Sequence, residues 1–369
     1  MKNQSEAFDK LDPNLATVSP QDDLLWYDAR NLPLEGKGWA DTPGPYDRLP
    51  GRAEGVVRDA VWAISGRSAG LCFHFVSDAE SIAARWTVKQ DYLAMDHMAA
   101  TGVSGLDLYT RTPEGQWRWL AVGRPTQLPT NEVELIKDLP AGTREYLLYL
   151  PLYNGVTELS LGIPRSAMLG RAPERTRRPV VFYGTSILQG ACASRPGMAY
   201  PAILGRWFDI PTINLGFSGN GQMEPEVGTF LAEIDASVFL LDCLPNVGAA
   251  QVSARTGPLV KTLRAAHPET PIILVENITY QNAHLIEARK ARTVNSNRAY
   301  RMVYDSLVAE GMERLYYVPG EALLGDDGEA TVDGTHATDV GFLRMATVLR
   351  PFLEQALKDE RASRAGDGR

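Results

Sequence analysis

Two rhythms divide the chain. From about Val56 to Pro164, apolar residues recur at every second position in short runs. Leu71, Phe73 and Phe75 alternate with Cys72, His74 and Val76, and Ile82, Ala84, Trp86 and Val88 repeat the pattern. A period of two sends successive side chains to opposite faces, so each run predicts a strand. Leu106 to Tyr109 and Trp117 to Trp119 flank the turn-forming Pro113-Glu114-Gly115. Tyr146 to Leu152 and Glu158 to Ile163 flank Asn154-Gly155, a hairpin-turn dipeptide. Short strands at this spacing, without helices between them, predict a β-sandwich of jelly-roll type. From Pro179 onward, short wholly apolar runs alternate with helical stretches. Strands are expected at 180–183, 212–215, 238–241, 272–275 and 315–318, and helices at 199–208, 224–234, 251–267, 284–310 and 339–358. Such strands, joined by helices, predict a mostly parallel sheet in a three-layer α/β/α domain.

The charged stretch from Arg165 to Arg178 separates the rhythms and reads as a solvated connector. The expected organisation is a loose tail over 1–22, a β-sandwich domain over 23–165, a linker over 166–178, a catalytic α/β domain over 179–358 and a second tail over 359–369. A length of 369 residues fits two domains better than one.

Composition removes several function classes. The formal net charge is -8, which argues against nucleic acid as a partner. Three cysteines in so long a chain suggest no disulfide framework. The first residues are polar, without the apolar core of a secretory leader, and no run approaches the roughly 20 apolar residues of a membrane span. A cytoplasmic protein without a membrane partner is expected, or a periplasmic or secreted one if a leader has been removed. The histidines (His74, His97, His267, His284 and His336) are scattered in sequence, and no metal site is expected. No dinucleotide fingerprint or phosphate-binding loop is present, so no cofactor is expected either.

What remains is a hydroxyl. Val180 to Tyr183 meets Gly184, Thr185 and Ser186 before a helix-compatible segment, which places a serine at a strand-to-helix turn. A serine nucleophile needs a base, an orienting acid and oxyanion donors. His336, with Asp333 three residues before it, lies between the last strand and the last helix. The glycine-rich run from Asn214 to Gly221 follows the second strand, and Asn246 follows the third. Taken singly, these read as a capping pair, a flexible loop and a turn residue. Together they place each required group at the carboxyl end of a parallel sheet, where such folds carry their sites.

The spacing resembles that of the SGNH, or GDSL, hydrolases. Ser186 falls at that family's first block, with Thr185 where Asp is usual; Gly219 at the second; Asn246 at the third, within Cys243-Leu244-Pro245-Asn246; and Asp333 with His336 at the last. The resemblance covers roughly Pro179 to Leu357. Gly105-Leu106-Asp107-Leu108-Tyr109 is similar to the G-x-D-L-Y signature of a β-rich domain preceding some bacterial SGNH hydrolases. The resemblance implies a serine ester hydrolase. Ser186 would be the nucleophile, His336 the base, Asp333 its orienter, and Ser186 N–H, Gly219 N–H and the Asn246 side chain the oxyanion hole. The expected substrate is a short acyl ester, such as acetyl, on a carbohydrate or similar small molecule. The alternatives are an arylesterase or lysophospholipase and a carbohydrate-binding protein with an idle hydrolase domain. Arg195, Glu224, Tyr153 and Asn154 are candidate substrate contacts. Cys243 reads as an inert buried thiol. Association into a homo-oligomer is left open.

Overall fold

The computed structural model describes residues 16–18 and 23–366; the rest of the expected N-terminal tail lies outside them. The first half forms two antiparallel sheets. One has the order β1 (Ala16–Val18), β2 (Leu24–Asp28), β10 (Val156–Pro164), β5 (Ile82–Val88) and β8 (Thr130–Ile136). The other runs β11 (Leu169–Arg171), β4 (Cys72–Ser77), β9 (Arg144–Tyr149), β6 (Leu106–Arg111) and β7 (Trp117–Gly123), with β3 (Leu34–Glu35) also pairing with β4. Phe73, Phe75, Trp86, Tyr146, Leu148 and Leu161 fill one core contributed by both sheets. Each large apolar side chain buried there contributes about 1.5–3 kcal/mol.

The alternation in β4 predicted one apolar face, yet all six of its residues are buried. Its second face is also covered: Cys72 joins Tyr109, Trp117, Leu147 and Tyr149 in a cluster with Ala202 of the second half. Asn154-Gly155 is not a hairpin turn. The strands before and after it, β9 and β10, belong to different sheets, and the dipeptide lies in the crossing between them. Glycine is needed at 155 because a Cβ would sit 2.3 Å from the Gly66 carbonyl oxygen.

The second half is a parallel sheet of order β13 (Thr212–Gly216), β12 (Val180–Gly184), β14 (Val238–Asp242), β15 (Ile272–Val275) and β16 (Leu315–Val318). Two short helices lie in the first half, α1 (Asp59–Ser65) and α2 (Ala100–Val103), and α3 (Ser186–Gln189) follows β12. Helices α4 (Tyr200–Phe208) and α8 (Asp339–Gly366) cover one face, where Tyr200, Phe342 and Met345 meet Phe182, Leu240 and Ile273. Helices α5 (Pro225–Leu231), α6 (Ala249–Ala266) and α7 (Glu287–Ala309) cover the other, where Phe230, Leu259 and Tyr300 meet Val181, Phe239 and Leu274. No helix among the described residues is long and apolar enough to cross a membrane.

The expected boundaries shift in four places. Residues 16–18, assigned to the tail, pair with β2. Helix α8 runs on through most of the expected C-terminal tail, to Gly366. The linker is not simply solvated: it contains β11, and within it Arg175 is ion-paired with Glu35 and Arg178 with Glu360 and Asp235. Finally, Trp39, Leu49, Ala53, Val57 and Val61 precede the sandwich strands β4–β10 but pack into the core of the parallel sheet. In the same segment Arg48 is wholly buried. It donates to four backbone carbonyls, those of Ile64, Arg67, Asn214 and Gly216, the last two in β13. Burial, and then the nearby Arg67, pull its guanidinium down to about 9.

Candidate active site

Strand β12 is flanked by β13 on one side and β14 on the other, and both follow it in the chain. The connections therefore leave in opposite directions, opening a crevice at the carboxyl end of β12, the usual ligand position in such sheets. Ser186 occupies it. The sequence enforces the turn: Thr185 has extended backbone angles, and its Oγ1 accepts the Ile187 N–H at 3.3 Å, capping α3. A threonine hydroxyl can thus do locally what an aspartate would do at the same position. Ser186 is 6% exposed, and residues 180–193 around it are all buried.

Ser186 Oγ lies 2.9 Å from His336 Nε2, and His336 Nδ1 lies 2.7 Å from Asp333 Oδ2. The loop that holds this pair is organised by one carboxylate. Asp333 Oδ1 accepts the backbone N–H groups of His336 at 2.8 Å and Thr335 at 3.0 Å. Partial burial works to raise the Asp333 pKa, but the His336 amide, the His336 ring and the Thr335 amide outweigh it and hold the carboxyl near about 2. A charged Asp333 fixes the ring proton on Nδ1 and leaves the Nε2 lone pair towards the serine.

Gly219 follows β13 with φ +72, a conformation open to glycine. Its N–H and that of Ser186 have no acceptor among the described residues. Asn246 lies in a 3-10 turn after β14, and its Oδ1 accepts Gly221 N–H at 3.3 Å, leaving its Nδ2 hydrogens for another acceptor. Below the crevice, Asp242 stands in register with Gly184 and accepts the Tyr200 hydroxyl at 2.8 Å. Burial pushes its carboxyl up to about 6, with the Tyr200 bond opposing.

The four candidate substrate contacts are each engaged within the protein. Asn154 is fully buried; its amide accepts Gln90 N–H and donates to Tyr92 O and Ser104 Oγ. Tyr153 is buried with its hydroxyl 3.4 Å from the Ser186 carbonyl. Glu224 is buried and engaged by Arg58, Tyr183 and Gln222. Arg195 is ion-paired with Asp107 at 2.8 Å and bonded to Tyr109, with its guanidinium also over the Trp119 ring. This last contact explains the G-x-D-L-Y segment. Asp107 is wholly buried and also takes Gly197 N–H and Trp119 Nε1–H, so it ties the sandwich to the loop entering α4.

Sequence reasoning missed His97. It lies on a loop of the sandwich half, and its ring centroid is 5.6 Å from that of His336. Cys192 sits beside this pair, with its thiol pushed up to about 12, first by burial and then by the Asp333 charge. A lone histidine on a non-periodic loop carries no pattern that could have placed it there.

A structure from Bacteroides ovatus described as a GDSL-like lipase is 36% identical, covers 91% of this chain and 98% of its own, and superposes with a TM-score of 0.86. The chain belongs to the GDSL-like lipase/acylhydrolase family. Residues 177–354 match that family, and residues 24–169 match the N-terminal domain of SGNH-hydrolase-type esterases. Two more distant structures share the fold. A salicylyl-acyltransferase from a tetracycline biosynthetic pathway is 19% identical, with 92% of this chain and 97% of its own covered and a TM-score of 0.70. A family-two carbohydrate esterase from Cellvibrio japonicus is 15% identical, with 90% and 98% covered and a TM-score of 0.57. No match to a curated protein was found.

Proposed function

We propose that this family member is a serine ester hydrolase that removes short acyl groups, acetyl foremost, from a carbohydrate or a similar small polyhydroxylated ester. The observation that carries the reading is the relay of 2.9 and 2.7 Å from Ser186 through His336 to Asp333 at the sheet's carboxyl edge. Ser186 Oγ attacks the ester carbonyl while His336 Nε2 takes its proton. The N–H groups of Ser186 and Gly219 and the Asn246 amide receive the oxyanion. The imidazolium returns the proton to the leaving alcohol, and water repeats the sequence on the acyl-enzyme. The carbohydrate part of the reading draws support from the fold shared with the carbohydrate esterase.

One observation favours a second reading, an aryl or otherwise apolar ester. Leu285, 82% exposed, and Ile286 lie on a loop whose Gln281 bonds Gly334 and Thr331, beside the base. The test is release of p-nitrophenol from p-nitrophenyl acetate, followed by acetate release from acetylated oligosaccharides. Ser186→Ala should reduce both to background, and undiminished activity in that variant would sink the assignment. A rate that rises from acetate to octanoate would select the apolar ester.

A further inference from the structure

The proposed chemistry leaves two side chains at the crevice unused. His97 stands on a two-residue turn between Met95 and Met98, whose backbones exchange hydrogen bonds of 3.1 and 2.9 Å. That turn is anchored to the second half nearby, where Thr101 Oγ1 donates to Ser194 O at 2.5 Å, and within the sandwich half, where Leu152 N–H donates to Gly102 O at 3.1 Å. Cys192 comes from the opposite side, on the loop after α3, as a free thiol with φ +71. One ligand atom each from His97, Cys192 and His336 lie within 4.8 Å of one another.

Two imidazoles and a thiol form a nitrogen–sulfur set suited to zinc rather than to calcium or magnesium, which prefer oxygen. Zinc bonds of about 2.0–2.1 Å to nitrogen and about 2.3 Å to sulfur put tetrahedral donors roughly 3.3–3.6 Å apart. The trio must therefore draw in by about 1 Å, within reach of side-chain rotation. A further feature supports a metal. His336 Nδ1–H points at Asp333 Oδ2, the carboxylate–histidine arrangement that orients and strengthens a metal-binding imidazole. The lone pair it presents, on Nε2, is the one that otherwise accepts from Ser186.

We propose that His97, Cys192 and His336 bind one zinc ion at the mouth of the crevice, and that binding takes His336 Nε2 from Ser186 and arrests ester cleavage. Each nitrogen and the sulfur gives a lone pair to zinc. The Cys192 S–H proton passes to solvent, and nothing is oxidised or reduced. The arrest rests on His336 serving as the base; the binding does not.

The test titrates the purified chain with zinc against a chromophoric chelator and with cobalt as a spectroscopic stand-in. Binding should be one to one, with a thiolate-to-cobalt charge-transfer band. Cys192→Ser should abolish the band, and Cys192→Ser and His97→Ala should each weaken zinc at least about tenfold. In parallel, zinc should stop p-nitrophenyl acetate hydrolysis, a chelator should restore it, and both variants should need at least about tenfold more zinc. Unchanged zinc affinity in both variants, each with wild-type melting behaviour, would overturn the site. Zinc bound as described without loss of hydrolysis would overturn the arrest. Zinc bound as described by a chain that cleaves no ester would remove the proposed function and leave the site standing.

Discussion

The serine and its base rest on unlike supports. Ser186 is held by the core: the residues around it are buried, and its strand lies inside a parallel sheet, between β13 and β14. His336 is held by hydrogen bonds: its loop is partly exposed, and one carboxylate gathers two backbone amides and the ring. Two aspartates mark the contrast. Asp333, bonded by donors, is pulled down to about 2, while Asp242, in register with the start of the serine turn, is pushed up to about 6 by burial. Packing fixes the nucleophile at a cost to a buried acid, and bonding fixes the base by keeping an acid charged.

The sharpest way to break the comparison is Asp333→Asn. The amide can keep its oxygen on the two backbone N–H groups, which turns its NH₂ towards His336 and forces the wrong tautomer. We expect kcat to fall by about 10³–10⁴ with little change in fold, read from ester hydrolysis and circular dichroism. Asn246→Ala removes a donor without touching either support and should lower kcat by about 10²–10³ at nearly constant KM.

The buried acid gives a stability test. Below about pH 4 Asp242 is protonated whether the chain is folded or not, and it costs nothing. Between about 4 and about 6 the unfolded chain ionises first, so stability falls, and above about 6 the penalty is complete. Asp242→Asn should therefore raise stability by up to about 3 kcal/mol at pH 7 and by almost nothing at pH 4, by denaturant titration. Asp333 has the opposite sign: its contribution is present above about pH 4 and is lost as pH falls towards about 2. The smallest effect expected is that of Thr185→Val, which removes the cap of α3 and should cost about 1 kcal/mol, whereas Thr185→Asp should retain it.

Much of this was legible in the chain because it is local. Strands with both faces apolar, a serine at a strand end and an Asp three residues before a His are all short-range patterns, and the structure brings Ser186, His336 and Asp333 within bonding distance. What escaped depends on contacts between distant segments. Asn154-Gly155 had the composition of a turn, yet its glycine answers the approach of Gly66. Glu224 and Arg195 sat at the expected edge of the site, but charge alone does not reveal that Arg58 and Asp107 already engage them. His97 reaches the crevice through the docking of one half on the other, which no periodicity encodes.

Arg48 carries that lesson furthest. Two of its four carbonyl partners belong to β13, and the neighbouring Trp39, Leu49 and Val61 line the parallel sheet's core. The halves are therefore interleaved, and the seam between them does not coincide with the linker. A chimera spliced at the linker would give the hydrolase a foreign lining and strand a guanidinium in the donor of the front half. A viable exchange of modules would have to carry residues 38–67 along with the back half.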